Sequence, residues 1–210
     1  MKQSKTLRRW ELALLLGVAL AALLGVWLDG AQAALSDRVI RLHVLANSDS
    51  EADQALKLRV RDAVLAEAEE LFVPGAGRAE TEELLRAHLY DLAAAGAEVV
   101  GEAGYSYPVT ASLVHDYWFP PKTYTDFALP AGAYTALRIE IGAGGGQNWW
   151  CVVFPPLCLG SVSETTQETA LEAGLTENQV SLMTGEDEGY VVKFKAVELL
   201  EQFKGWLEGR

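Results

Sequence analysis

Arg38-Val-Ile-Arg-Leu-His-Val-Leu-Ala46, followed by Asn47-Ser-Asp-Ser50, sets the class of the fold. The first nine residues alternate, with Ile40, Leu42 and Val44 on one side and Arg41 and His43 on the other. Successive side chains of a strand point to opposite faces, so this pattern predicts a half-buried strand with one wet face. The four short polar residues that follow favour turns and helix caps, because their side chains bond nearby backbone groups. Ser50 with Asp53 three positions on resembles a capping box, and a helix should begin there.

Leu56, Val60, Ala63, Val64, Leu71 and Phe72 recur at three and four, which makes that helix amphipathic up to Pro74. Gly75-Ala-Gly77 breaks it, and a second helix runs from about Thr81 until its pattern is lost between Gly96 and Gly104. Strand chemistry then takes over. Val109 to Phe119, Tyr134 to Gly142 and Asn148 to Phe154 are rich in β-branched and aromatic residues, separated by Pro120-Pro121, Pro130-Ala-Gly132 and Gly142-Ala-Gly-Gly-Gly146. The glycine run reads as a hairpin loop. Residues 160–185 are polar and read as an excursion or a weak helix pair; Tyr190 to Lys195 reads as a last strand and Val197 onward as a terminal amphipathic helix. The expected class is α+β: one domain with an antiparallel sheet and helices packed on one face, preceded by a signal or transmembrane segment.

That preceding segment sets an expectation of address. Lys2, Lys5, Arg8 and Arg9 form a cationic end, and the 17 residues Leu12 to Leu28 carry no charge. Such a stretch is inserted by an export machine with its cationic end retained. Ala31-Gln-Ala33 offers the small residues read by a signal peptidase, with cleavage expected between Ala33 and Ala34. An uncleaved anchor remains open, because 17 residues at about 1.5 Å nearly match a hydrocarbon core of about 30 Å. Residues 1–33 are therefore the signal peptide or anchor, and 34–210 the extracytoplasmic domain. Contact with the membrane is expected only during export or through an uncleaved segment.

Charge limits the partners. The chain has 17 basic and 29 acidic residues; without the four basic and two acidic ones of the first 33, the balance is 13 against 27, net −14. That surface repels phosphate backbones, so nucleic acid is not an expected partner.

Chemistry-bearing constellations are sparse. Cys151 and Cys158 bracket Val-Val-Phe-Pro-Pro-Leu, and outside the cytoplasm a disulfide is the first reading, worth about 2 to 3 kcal/mol by the chain-entropy model. A pair of buried free thiols stays open beside it, as does a cysteine-dependent hydrolase using Cys151 with one of His43, His88 or His115. The two cysteines and three histidines lack metal-ligand spacing, so no metal is expected. The Gly-x-Gly of the 142–146 run precedes a strand instead of opening a helix, so no phosphate cofactor is expected. Trp149 and Trp150 put large rings on opposite faces of a strand, either as core or as a binding anchor.

Two stretches are recognisable as strings. Arg41-Leu-His-Val-Leu-Ala-Asn-Ser-Asp-Ser-Glu-Ala-Asp-Gln-Ala-Leu-Lys-Leu-Arg-Val-Arg-Asp62 is one. Pro130-Ala-Gly-Ala-Tyr-Thr-Ala-Leu-Arg-Ile-Glu-Ile-Gly142, continued by Asn148-Trp-Trp-Cys-Val-Val-Phe-Pro-Pro-Leu-Cys158, is the other. Together they resemble the stage II sporulation protein R family over most of residues 37–158. The resemblance implies an intercompartmental signal of endospore formation, exported into the space between forespore and mother cell. There it would activate a membrane-embedded sporulation aspartic protease that processes the mother-cell sigma factor precursor, without being an enzyme itself. The expected partner surface comprises Arg41, His43, Asn47, Asp49 and Trp149 or Trp150.

Overall fold

The first strand, β1 (Ile40–Leu45), lies in the interior of the sheet, with all six residues buried. The structure is a computed structural model, which describes residues 10–20, 34–73, 75–124, 127–158 and 163–184. The chain divides into two units, Met1–Leu35 and Ser36–Arg210. In the first, residues 10–20 are helical. Among the described residues no helix is long and apolar enough to cross a membrane. Residues 21–33, with the expected cleavage positions Ala31 and Ala33, lie outside the described residues, while Ala34 begins a short helical stretch over 34–36.

In the second unit, α1 (Glu51–Glu70) starts where the polar cluster predicts. Ser50 caps it by accepting from the Asp53 backbone N–H. The reciprocal half of the box is redirected: Asp53 is too short to reach back, and its carboxylate accepts from Ser48 at 2.5 Å and Asn47 at 2.9 Å. The expected second helix is two. These are α2 (Arg78–Ala87) and α3 (Leu89–Glu102), divided at His88. Gly96, expected to mark the end of the helical pattern, sits inside α3. A Cβ there would press on Val60 at 3.1 Å and Val109 at 3.0 Å, so the glycine lets α3 lie close against α1 and the sheet.

The strands β2 (Val109–Phe119), β5 (Gly132–Ile141) and β6 (Asn148–Phe154) fall where expected, and β1 joins them in the order β2-β5-β1-β6. A small ladder of β3 (Lys122–Thr123) and β4 (Ala128–Leu129) stands apart from this sheet. The sheet is mixed and not purely antiparallel: β1 and β5 run parallel, while β6 is antiparallel to β1 and β2 to β5. Parallel neighbours need a long crossover, which the three helices and β2 provide. Because β1 separates β5 from β6, the 142–147 loop is no hairpin. It bridges over the carboxyl end of β1, across two interstrand spacings of about 4.8 Å each.

Ile40, Leu42 and Val44 join Leu137, Ile139, Ile141, Cys151 and Val153 against Leu56, Val60, Val64, Leu85 and Leu92 of the helices to form the core. The expected wet face of β1 does not exist. Arg41 is 0% and His43 1% exposed, because neighbours on both sides and large rings above enclose them. Residues 163–184 hold α4 (Ser163–Glu172) and α5 (Glu177–Thr184), which is the helix-pair reading, and α5 touches β4. The expected strand and helix beyond residue 189 lie outside the described residues.

Candidate functional site

The bridge and its supports account for two of the expected site residues. Asn47 accepts from the Ala143 N–H at 3.0 Å through Oδ1, and Asp49 accepts from the Gln147 N–H at 2.7 Å. The backbone carbonyls of Ala46 and Asn47 accept from Gly146 and Gly145. Lys57 completes the clamp, its Nζ donating to the Gln147 carbonyl at 2.9 Å and to Gln54 at 2.6 Å. Burial pulls the Lys57 pKa below its ordinary value, with Asp49 opposing. Asp53 sits beneath, its carboxyl held below the usual range by the Ser48 and Asn47 bonds. Asn47 and Asp49 thus brace the loop that lets β5 and β6 flank β1.

Trp149 and Trp150 go to opposite faces, as alternation requires. Trp149, 37% exposed, faces the helices, and the Arg61 guanidinium lies 4.4 Å from its ring centroid. Trp150 lies on the other face beside His43, its cross-strand partner. The expected site residues therefore form two groups: Arg41, His43 and Trp150 together on the far face, and Asn47 and Asp49 at the bridge.

The far face is cationic and aromatic. In one row across the sheet stand Ser112, Arg138, His43 and Trp150, each paired with the next. The row beside it places Arg41 next to Val152 and Ala136. Rings of Tyr117, Phe119 and Trp150 surround His43 with centroids 5.1, 6.1 and 6.3 Å away. The Arg41 guanidinium lies 4.1 Å from the Phe119 centroid and 5.1 Å from that of Tyr134. It donates to the Tyr124 hydroxyl at 3.2 Å, and that hydroxyl donates to the Trp150 carbonyl at 3.3 Å. Among the described residues no carboxylate pairs with Arg41. Its Nε and Nη1 are buried without a hydrogen-bond partner, as are His43 Nδ1, Arg138 Nε and Trp150 Nε1.

Arg138, Tyr117, Tyr124 and Asn148 belong to this face although sequence reading did not assign them to it. Arg138 shows in the alternation of its strand, but its place beside His43 follows only from pairing 95 positions apart.

The surroundings of His43 favour its neutral ring. Its Nε2 lies 2.8 Å from Asn148 Oδ1, which sets Nε2–H as donor and leaves Nδ1 bare. Burial depresses its pKa, with the Asn148 bond opposing; Arg138 and Arg41 push it further down and Glu140 pulls it up. As pH falls below the ordinary value of 6.5, the unfolded chain binds a proton that the folded one refuses. Stability should thus be flat above that value and fall with acidification until the depressed folded pKa is passed. Denaturant titrations at pH 7.5, 6.5 and 5.5 should show this slope shrinking in His43→Gln. An unchanged slope would place the protonation elsewhere.

Cys151 and Cys158 form a disulfide, with Cα atoms 5.9 Å apart. Cys158 Sγ also accepts from the Val152 N–H. Cys151 shares the helix-side face with Leu42, whereas His43 projects from the opposite face.

The family profile described as Stage II sporulation protein R (spore_II_R) matches residues 36–164, which include β1, the bridge, the far face and the disulfide. The chain belongs to the stage II sporulation protein R family. A curated relative, Stage II sporulation protein R of Bacillus subtilis (strain 168), is 39% identical over 124 residues. The aligned part is 59% of this chain and 55% of that relative, so this family member matches about half the relative's length. No solved structure matches. Membership gives this stage II sporulation protein R homologue a role in sporulation, and the relative's name is that of a sporulation protein and of no enzyme.

Proposed function

We propose that this chain is an exported signalling protein of endospore formation, non-enzymatic itself, which activates a membrane-embedded aspartic protease and thereby promotes processing of the mother-cell sigma factor precursor. Family membership carries the reading. It is supported by the cationic end and uncharged run of residues 2–28, which suit export, and by the acidic balance of the rest, which suits a protein partner over a nucleic acid. The site of action is the space between forespore and mother cell.

In an endospore-former lacking its own family member, the full chain made in the forespore should restore sigma factor maturation in the mother cell. A form lacking residues 1–33, retained in the cytoplasm that made it, should not. Equal maturation from both forms overturns the proposal.

A cysteine hydrolase would need a Cys151 thiolate beside a histidine. Cys151 is bonded to Cys158 instead and turned away from His43, which favours the signalling reading. The crosslink spans a separation of seven positions, so Cys151→Ser and Cys158→Ser should each cost about 2 to 3 kcal/mol and impair maturation alike. Loss of function in Cys151→Ser alone, with the two equally folded, would favour the hydrolase.

A further inference from the structure

We propose that the far face of the sheet, centred on Arg138, His43 and Trp150 with Arg41 beside them, is a docking site for the carboxylate of an acidic side chain on an extended segment of a partner protein.

Three observations meet there. Among the described residues, all the unpartnered buried polar side-chain atoms but Arg78 Nε lie on this one face, and donors dominate: Arg41 Nε and Nη1, Arg138 Nε and Trp150 Nε1 against the single acceptor His43 Nδ1. These nitrogens have almost no accessible surface, so a ligand meets the set through the partly exposed Arg138 and Trp150 side chains, and a group that suits it is rich in acceptors and poor in donors, which describes a carboxylate. Second, among the described residues two guanidiniums share the face with one carboxylate, Glu140, which pairs with Arg138 at 2.9 Å, and Arg41 has none. On a chain of net charge −12 this is a local reversal of sign, complementary to an anion. Third, the rim is reachable. Arg138, Trp150 and Tyr117 are half-buried and Asn148 is exposed, while Arg41 and His43 form a fixed floor. Rings of Tyr117, Phe119 and Trp150 lower the local dielectric, which strengthens a charge-assisted bond made among them. An extended segment suits the geometry because the row runs across four strands, so one side chain anchors while its neighbours lie along the rim.

The inference rests on the signalling reading only in taking the partner to be a protein. The test uses the full chain in detergent micelles with ¹⁵N-labelled tryptophan, the Trp150 indole signal being assigned with Trp150→Phe. Acetyl-triglutamate amide should shift that signal saturably, whereas acetyl-triglutamine amide should not. Arg138→Gln, at a half-exposed position, should weaken binding at least tenfold, and calorimetry on Trp150→Phe should show a several-fold loss. No shift with triglutamate, an equal shift with triglutamine, or unchanged affinity in both variants overturns the site. Succinate binding as tightly as the peptide overturns the protein-segment assignment in favour of a small dicarboxylate. Triglutamate binding together with failed sigma factor maturation would keep the site and remove the signalling reading, so the two failures are separable.

Discussion

Replacing Arg41 with methionine is expected to raise the thermal midpoint of the domain, although Arg41 is among its most deeply buried residues. The guanidinium gains from Phe119 and Tyr134, about 1 to 2 kcal/mol for each desolvated ring contact, and from one bond to Tyr124. Against this stand its desolvation, several kcal/mol for an ion with no counter-charge among the described residues, and two nitrogens left unbonded there. Desolvation wins by about 1 to 3 kcal/mol, which for a domain of this size corresponds to about 2 to 10 °C. Methionine keeps length and flexibility, so the site can close without a large cavity. Calorimetry of both forms decides the matter, and a lower midpoint for Arg41→Met would show that the buried cation stabilises the fold. If the far face docks a carboxylate, the same variant should be more stable and less active, a combination that a purely structural residue does not give.

Gly146→Ala should act strongly in the other direction. A Cβ at Gly146 would collide with the carbonyl oxygen and carbon of Ser48, backbone atoms that cannot turn aside as a rotamer would. Relief requires lifting the bridge, which breaks the bonds from Gly146 to Ala46 and from Gln147 to Asp49. A loss of about 2 to 4 kcal/mol is expected, in the range of substitutions that force a backbone shift. Gly144→Ala is the internal control. Its added carbon would meet the end of the Glu140 side chain at 3.1 Å, which can swing aside by loosening its partly exposed pairing with Arg138, and the cost should stay near 1 kcal/mol, mostly for the left-handed backbone. Urea titration of the two variants compares them directly. Equal losses would mean that the bridge yields more easily than its packing indicates.

Local features were legible in the sequence and non-local ones were not. The Ser50 cap lies within one turn of its partner, so residue types sufficed to find it. The alternation of residues 40–45 correctly announced a strand, yet it misplaced that strand's surroundings. Arg41 and His43 look solvent-facing by type, whereas their burial is decided by β5, β6 and the rings of Phe119 and Tyr134, all far along the chain. The glycine run signalled a turn, but a hairpin and a bridge over an intervening strand have the same composition. Strand order alone separates them. Gly96 misled for a related reason: it reads as a breaker by propensity and serves as a close-approach point by packing. The cysteine pair was legible from the expected compartment and a short loop stiffened by two prolines, with free thiols left open beside it, and the far-face cluster only in part, since Arg138 joins His43 through a parallel pairing that periodicity cannot reveal.

The position of β1 between two late strands has a kinetic consequence. Leu42 pairs with Leu137 and Cys151, residues 95 and 109 positions downstream, so the earliest strand of the domain has no neighbour until nearly all of the sheet has been delivered. Such high contact order makes assembly slow, because loop closure precedes any compensating contact. A chain emerging amino end first therefore cannot close this sheet until β6 is out. Any conduit crossed before that point would carry unpaired strands, and the domain would take its shape only afterwards.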